Sequence, residues 1–240
     1  MSEAIFVEGL TKTYGEKTVV DNLNLSVKSG TVFGLLGANG AGKSTAIECM
    51  LGTKKADAGT VRLLGQDPKS CRRALFERIG VQFQEGDYQK EIKVSELCGE
   101  TSSLYRSPAD WRNLCEQFGI GDKANVAVKS LSGGERQRLF IVLALIPQPE
   151  LVFLDELTTG LDAKARRGVW KTLEHLKEQG LTIFLTSHFM DEIEALCDEI
   201  CILKKGVPVF RGTVEQAKAQ CGCERFEDAY LQLSDEEVDA

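Results

Sequence analysis

A glycine-rich segment near the start of the chain has the composition of a phosphate-binding loop. Residues 37–45 read Gly-Ala-Asn-Gly-Ala-Gly-Lys-Ser-Thr, which fits the pattern G-x-x-x-x-G-K-[ST]. Glycines allow the backbone to turn so that several N–H groups point at one anion. Lys43 adds a positive charge near the terminal phosphates of a nucleotide, and Ser44 offers a hydroxyl to a bridging Mg²⁺. The predicted phosphate-binding residues are Gly37, Asn39, Gly40, Ala41, Gly42, Lys43, Ser44 and Thr45.

Two carboxylates follow an apolar run later in the chain. Residues 151–154 are Leu-Val-Phe-Leu, which is typical of a parallel strand covered on both faces. Asp155 comes next, at the strand end where ligands lie in open α/β sheets, and is predicted to hold Mg²⁺. Glu156 is predicted to activate or orient the attacking water. A solvated turn is the ordinary alternative for such a pair, but the phosphate-binding loop in the same chain favours a catalytic role.

A second anion-binding segment lies about ninety residues after the first. Residues 131–138 read Leu-Ser-Gly-Gly-Glu-Arg-Gln-Arg. A helix that begins at Ser132, Gly133 and Gly134 presents backbone donors and the positive end of its dipole to an anion. An ordinary helix N-cap is the simple alternative. Two such segments in one chain could hold ATP between two copies, with the loop of one copy facing the Ser-Gly-Gly of the other.

The segments around these motifs predict the elements that position them. A strand over residues 31–36 leads into the loop, and a helix over residues 43–51 follows it. Leucine and valine alternate with polar residues over 23–27, which indicates a half-buried strand. Residues 88–149 are mostly polar and helix-compatible, and strand signals return after them. The chain therefore predicts a helical insert within an α/β structure.

The bulk properties exclude some functions. The 240 residues are 42% hydrophobic and 27% charged, and the net charge of −7 argues against a nucleic-acid partner held by a general basic face. Apolar runs fall short of the roughly 20 residues needed to span a bilayer. The first residues, Met-Ser-Glu-Ala, do not resemble a signal peptide. A cytoplasmic location is therefore expected.

The eight cysteines are scattered and lack a C-x-x-C spacing. With two histidines available and no secretion signal, reduced thiols in a reducing compartment are expected. Cys221 and Cys223 form the one close pair, and a redox or metal role for them is the weaker alternative.

Taken in order, these motifs resemble those of the nucleotide-binding subunit of ATP-binding cassette (ABC) transporters. The phosphate-binding loop, the signature motif at residues 131–138 and the acidic strand end that runs on to Asp162 all match. The resemblance implies that Gln84, within residues 79–85, senses Mg²⁺ and water and couples to the membrane partner. It also implies that His188, in Thr-Ser-His at 186–188, contacts the γ-phosphate.

Two further positions complete the resemblance. Tyr14 matches the aromatic residue that stacks on adenine, although it could otherwise be a routine, partly buried aromatic. Asp162 matches the aspartate loop, and it could also cap the helix that follows. His175 has no comparable support and is interpreted as a helix-surface residue.

The resemblance implies an α/β fold: a P-loop NTPase core with a mainly parallel sheet, an N-terminal antiparallel β subdomain and an inserted helical subdomain. The expected core comprises residues 1–87 and 150–216, the helical signature subdomain residues 88–149, and the C-terminal tail residues 217–240. In one departure, Leu157 follows the catalytic glutamate where the family usually has proline. Leucine can adopt a similar conformation, so activity is expected to be retained.

The predicted function is Mg²⁺-dependent ATP hydrolysis that powers a transporter. The expected partners are a second copy, or a homologous ATPase subunit, and a separate transmembrane permease, which places the chain on the cytoplasmic face of the membrane. Residues 186–192 and 226–231 are similar to the branch that powers drug, lipid, polysaccharide or haem-related export. Two rival functions are a ribosome- or DNA-directed ABC ATPase and a regulatory module that holds nucleotide without useful turnover. The acidic charge argues against the first, and Glu156 and His188 argue against the second.

Overall fold

The computed structural model describes residues 2–82, 88–89 and 91–234. Gln84 lies outside the described residues. In chain order the strands are β1 (Glu3–Tyr14), β2 (Lys17–Lys28), β3 (Val32–Leu36), β4 (Ala58–Leu63), β5 (Ile79–Gln82), β6 (Leu151–Leu154), β7 (Thr182–Leu185), β8 (Glu199–Lys204) and β9 (Val207–Gly212). The helices are α1 (Lys43–Met50), α2 (Arg72–Phe76), α3 (Val94–Ser103), α4 (Trp111–Gln117), α5 (Gly133–Leu145), α6 (Ala163–Glu178), α7 (Met190–Leu196), α8 (Val214–Cys221) and α9 (Phe226–Ser234).

A six-stranded sheet forms the centre of the fold, with the order β5-β6-β7-β3-β8-β9. Neighbours from β5 to β8 are parallel, and β9 closes the edge antiparallel to β8. Because parallel strands end at the same edge, the segments that follow β3, β6 and β7 meet there. These segments carry the phosphate-binding loop, the two carboxylates and the histidine predicted from the sequence.

The N-terminal part of the chain forms a three-stranded antiparallel sheet with the strand order β2-β1-β4. Its central strand β1 alternates buried and more exposed side chains, with Ile5, Val7 and Leu10 buried. This pattern follows from the period of two along a strand that has one covered face. The sheet thus matches the antiparallel β subdomain implied by the resemblance.

The two faces of the six-stranded sheet bury two apolar clusters. Phe33, Phe153 and Phe184 belong to one cluster, and Phe184 lies 5.5 Å and 5.2 Å from the other two rings between centroids. The neighbouring residues Val152 and Ile183 belong to the other cluster. Burial of each large side chain contributes roughly 1.5–3 kcal/mol, so the two clusters hold the strand ends rigidly in place.

Helices α3, α4 and α5 lie between β5 and β6 along the chain, as the predicted insert requires, with short 3₁₀ helices at Gly121–Lys123 and Val128–Ser130. After β9, α8 and α9 pack onto the core through Ala217, Phe226 and Ala229. The expected boundary at residue 216 lies inside α8, because this helix begins directly after β9.

Candidate functional site

The phosphate-binding loop connects β3 to α1, and two of its glycines are sterically required. Gly37 and Gly42 have φ angles of 146° and 103°. A Cβ on Gly37 would lie 2.4 Å from the carbonyl oxygen of Leu203, and one on Gly42 would lie 2.3 Å from that of Val19. Larger residues at these two positions would therefore displace the backbone of the loop.

The start of α1 has the features of an anion site. Its N-cap, Gly42, has no side chain to cap the first turn of the helix, so the N–H groups there remain available to a ligand. Lys43 is 7% exposed, and its Nζ donates to the carbonyl oxygens of Gly37, at 2.5 Å, and Ala38, at 3.0 Å. These contacts hold a positive charge inside the loop, where phosphate oxygens would accept from the same ammonium group.

A cavity of about 370 Å³ lies against this loop. Among the described residues it is lined by Val19, Asn39, Gly40, Gly42, Lys43, Ser44, Thr45 and Glu156. The loop predicted to bind phosphate and the carboxylate predicted to act on water thus border the same space. Ser132, Gly133 and Gly134 are outside this set of lining residues.

Two oxygen groups converge where a metal ion would bridge the loop and β6. Ser44 Oγ donates to Asp155 Oδ2 at 3.2 Å, and Asp155 is 5% exposed. A hydroxyl beside an almost buried carboxylate is the donor set that Mg²⁺ prefers, so the residues present fit this ion. Gln82 Nε2 donates to the backbone carbonyl oxygen of Asp155 at 3.0 Å, and this bond holds the chain in place directly after β6.

The second carboxylate contacts the predicted histidine. His188 Nε2 and Glu156 Oε1 are 3.0 Å apart, although the two residues are 32 positions apart in the sequence. The strand pairing explains this contact, because Leu154 at the end of β6 lies opposite Leu185 at the end of β7. The side chains that follow these two strand ends therefore meet. The pair borders the 370 Å³ cavity through Glu156.

Glu156 has a backbone conformation that is unusual for a residue with a side chain. Its φ is +52°, in the left-handed region. Its N–H donates to Thr186 Oγ1 at 2.9 Å, and the N–H of Leu157 donates to the carbonyl oxygen of Thr186 at 3.2 Å. Proline at position 157 could not make the second bond, so leucine here contributes a hydrogen bond to the site.

The Ser-Gly-Gly segment begins α5 with a reciprocal cap. Ser132 Oγ accepts from the N–H of Glu135 at 3.2 Å, and Glu135 Oε2 accepts from the N–H of Ser132 at 2.8 Å. These hydrogen bonds, together with the ammonium group of Lys123, lower the pKa of Glu135 to about 2. The Ser132 hydroxyl is therefore bonded to Glu135 of its own chain, which fixes the start of α5.

Asp162 is the N-cap of α6 and accepts from the N–H of Ala165 at 2.8 Å. The loop before it passes close to the start of α5, since a Cβ on Gly134 would lie 3.2 Å from the carbonyl oxygen of Gly160. The aspartate loop and the Ser-Gly-Gly segment of one chain therefore lie side by side.

Tyr14 ends β1 and is 45% exposed. Lys12 Nζ and Lys54 Nζ lie 5.1 Å and 5.8 Å from the centre of its ring. Lys54 Nζ donates to Glu48 Oε2 at 2.7 Å, and this hydrogen bond is the main cause of the raised pKa of Lys54. An exposed ring flanked by two cations is suited to stacking against a flat aromatic ligand.

Comparisons with known proteins agree with this geometry. A protein-family model described as "ABC transporter" matches residues 20–159. Nod factor export ATP-binding protein I of Ralstonia nicotianae is 42% identical over 228 residues, which cover 92% of this chain and 71% of that protein. The chain belongs to the ABC transporter family.

Other matches extend this result to a second relative and to solved structures. Daunorubicin resistance ATP-binding protein DrrA3 of Streptomyces coeruleorubidus is 37% identical over 229 residues, which cover 93% of this chain and 72% of that protein. A solved ATP-binding subunit of an ABC transporter has a TM-score of 0.87 at 23% identity and covers 96% of this chain. A nucleotide-free ATP-binding cassette has a TM-score of 0.82 at 22% identity and covers 95% of it. These two structures establish the fold.

This ABC protein is therefore a nucleotide-binding, ATP-hydrolysing subunit of a transporter, as the sequence predicted. The predicted α/β fold is confirmed as well. The described part of the chain contains no helix long and apolar enough to cross a membrane. All eight cysteines are free thiols, and in the described residues no cluster of three or more His, Cys, Asp or Glu side chains could hold a metal.

Three residues that support the candidate site are not predicted from the sequence. Gln82 holds the backbone of Asp155, Thr186 bonds both Asp155 and Glu156, and Gln137 on α5 donates to two carbonyl oxygens beside Glu156. A polar residue within an otherwise apolar strand was the available signal for Gln82. For Thr186 and Gln137 the contacts depend on which strands and helices are neighbours, which local patterns do not specify.

Proposed function

We propose that this chain binds Mg·ATP at the loop of residues 37–45 and hydrolyses it after closing against a second copy. The contact between Glu156 and His188 beside the phosphate-binding loop is the observation that carries this proposal. It places a carboxylate and an imidazole together at the wall of the cavity that receives the phosphates.

The loop holds the triphosphate. Backbone N–H groups at the start of α1 and the ammonium group of Lys43 bind the phosphate oxygens. The phosphate-binding set is Gly37, Asn39, Gly40, Ala41, Gly42, Lys43, Ser44 and Thr45. Ser44 and Asp155, with Gln84 from outside the described residues, hold Mg²⁺. When bound there, this ion neutralises charge on the β- and γ-phosphates.

Glu156 acts as the base toward the attacking water. Its carboxylate accepts the water proton as the water oxygen bonds to the γ-phosphorus, while the bond from that phosphorus to the β–γ bridging oxygen breaks and ADP leaves. His188 orients this carboxylate through the 3.0 Å contact and contacts the γ-phosphate. Tyr14 stacks on the adenine ring, and the ammonium groups of Lys12 and Lys54 lie 5.1 Å and 5.8 Å from the centre of its own ring.

A second copy completes the site. Ser132, Gly133 and Gly134 of that copy present the N–H groups at the start of α5 to the γ-phosphate, and its Asp162 lies beside them. Two observations support this arrangement. Among the described residues, the Ser-Gly-Gly segment is outside the cavity lining of its own chain, and it begins a helix of 13 residues whose positive dipole end favours an anion. Two such half-sites form two nucleotide sites in a symmetric dimer.

The partner that moves the cargo is a separate transmembrane permease, docked on the cytoplasmic face of the membrane at the cleft between the core and the helical subdomain. In this arrangement residues 1–87 and 150–216 form the ATPase core, residues 88–149 the helical subdomain and residues 217–240 the C-terminal tail. The names of the two relatives, one for export and one for drug resistance, support a role in an exporter. Closure of the dimer then drives the permease between conformations.

The first prediction concerns the proposed base. Glu156→Gln keeps the size of the side chain but cannot accept the water proton, so the ATPase kcat is expected to fall roughly 10²- to 10⁴-fold. The KM for ATP changes little, because the phosphate contacts remain. Steady-state phosphate release at saturating Mg²⁺ measures both constants. Glu178→Gln, on the exposed end of α6, is the matched control and retains full activity. Equal rates for the two variants would contradict the proposed function.

A further inference from the structure

The backbone of Glu156 has a conformation that is unfavourable for a residue with a side chain. A φ of +52° is uncommon and strained for a residue with a Cβ. Such a conformation persists only where the surrounding groups determine it. The direction of the Cα–Cβ bond, and thus the aim of the carboxylate at His188, depends on this backbone angle.

Thr186 supplies one side of the support. Its hydroxyl donates to Asp155 Oδ1 at 2.6 Å and accepts from the N–H of Glu156 at 2.9 Å. Its carbonyl oxygen accepts from the N–H of Leu157 at 3.2 Å, and its own N–H donates to the carbonyl oxygen of Leu154 at 3.0 Å. Thr186 is fully buried, so water cannot replace these bonds.

Gln137 supplies the other side, from the helical subdomain. Its Nε2 donates to the carbonyl oxygens of both Glu156 and Leu157, each at 3.0 Å. Gln137 lies in the second turn of α5, the helix that Ser132 caps. The proposed base is therefore bonded to the same helix that would present Ser132 to the nucleotide of another copy.

Together, Thr186 and Gln137 bond all four backbone polar groups of the Glu156–Leu157 pair. We propose that Thr186 and Gln137 are positioning residues that fix the left-handed backbone of Glu156 and so aim its carboxylate. The inference rests on the proposed role of Glu156 as the base. Because Gln137 belongs to α5, the direction of the Glu156 carboxylate depends on the position of this helix. A shift of α5 on dimer closure therefore changes the geometry of Glu156. Leu157 takes part in this support because its N–H donates to the carbonyl oxygen of Thr186.

The test for Thr186 is a pair of substitutions that differ in the hydroxyl. Thr186→Val keeps the shape of the side chain and removes both hydroxyl bonds, and kcat is expected to fall roughly 10- to 100-fold at saturating Mg²⁺. Thr186→Ser keeps the hydroxyl and is expected to stay within about threefold of the unmodified chain. The KM for ATP remains unchanged in both variants, since the loop that holds the phosphates is intact. A general loss of folding would not be repaired selectively by serine.

Gln137→Met tests the other side, because methionine fills a similar volume and cannot donate. Its kcat is expected to fall roughly tenfold with an unchanged KM for ATP. Gln148→Met is the matched control, since Gln148 Nε2 also donates to a backbone carbonyl oxygen, that of Ser107 at 3.1 Å, but outside the site. The control is expected to retain the kcat of the unmodified chain.

The outcomes separate this inference from the proposed function. If Glu156→Gln is inactive while Thr186→Val and Gln137→Met keep kcat within twofold of their controls, the positioning role is overturned and the base assignment stands. If one of the two variants alone loses activity, the role of the other residue is overturned. If Glu156→Gln is fully active, the proposed function itself fails. Should Thr186→Val not fold, Gln137→Met decides the question.

Discussion

At the scale of single residues, the two histidines of this ABC ATPase have opposite surroundings. His188 Nε2 lies 3.0 Å from Glu156 Oε1 at the edge of the parallel sheet. His175 is exposed on α6, where its Nε2 lies 3.0 Å from Nε2 of Gln179, the residue that follows the helix. The sequence distinguished them by position, because His188 closely follows a buried strand and His175 lies within a helix.

This contrast provides the second testable prediction of the proposed function. His188→Ala removes the partner of Glu156, so kcat is expected to fall roughly 10²-fold. His175→Ala alters the solvent-facing side of α6 and is expected to leave kcat within twofold. Phosphate release by the two purified variants at saturating Mg·ATP gives the comparison. Full activity of His188→Ala would remove the histidine from the mechanism.

The sequence predicts the groups proposed to react, but it does not predict the residues that support them. Asp155 and Glu156 follow an apolar strand, a pattern that local composition reveals. The hydroxyl of Thr186 bonds both of them only because β6 and β7 are neighbours in the sheet, and the order of strands is a property of the tertiary structure. The φ of +52° at Glu156 also depends on these contacts and has no signal in residue type.

At the scale of elements, β6 and β2 show where sequence patterns succeed and fail. β6 was predicted over residues 151–154 and observed as Leu151–Leu154, because a continuous apolar run between Glu150 and Asp155 leaves little choice. β2 extends over Lys17–Lys28, although alternation was recognised only over residues 23–27. It lies at the edge of its sheet, where polar residues are tolerated and pairing with β1 extends the strand.

Helix α7 is connected to the site by a buried carboxylate. Glu192 Oε1 accepts from Thr158 Oγ1 and from Trp170 Nε1, each at 2.7 Å. Burial raises the pKa of Glu192, since desolvation disfavours the charged form. This side chain joins the loop after Glu156 to α6 and α7, and it belongs to the framework that holds the catalytic edge of the sheet.

The cap at the start of α5 leads to a prediction about pH. The pKa of Glu135 is lowered to about 2 by its hydrogen bonds to Ser132 and its contact with Lys123. A lowered pKa in the folded state means that Glu135 stabilises the fold at neutral pH, and that this stabilisation is lost as the pH falls from about 4.5 to about 2. Glu135→Ala is therefore expected to lower the melting temperature at pH 7 and to have progressively less effect below pH 4.5.

Thermal unfolding followed by circular dichroism between pH 7 and pH 3 measures this difference. Glu174→Ala, on the exposed side of α6, is the control for the loss of an exposed glutamate. A difference between Glu135→Ala and the unmodified chain that stays constant as the pH falls would show that the charge on Glu135 does not contribute to the cap.

At the scale of the whole molecule, the residues predicted to bind one nucleotide fall into two groups. The loop, Lys43 and Glu156 border one cavity of about 370 Å³, whereas Ser132 caps a helix that does not line it. The proposed dimer brings together the loop of one copy and the start of α5 of the other. The sequence predicted both groups, and among the described residues only the first group lines this cavity.

The most direct test of this account is the mass of the Glu156→Gln variant in solution with saturating Mg·ATP, measured by sedimentation equilibrium. Because this variant binds ATP without hydrolysing it, the closed dimer is expected to accumulate at twice the 26.4 kDa of one chain. Without nucleotide, or with Ser132→Arg added, the mass is expected to return to that of one chain. A mass of 26.4 kDa with ATP bound would contradict the shared nucleotide site.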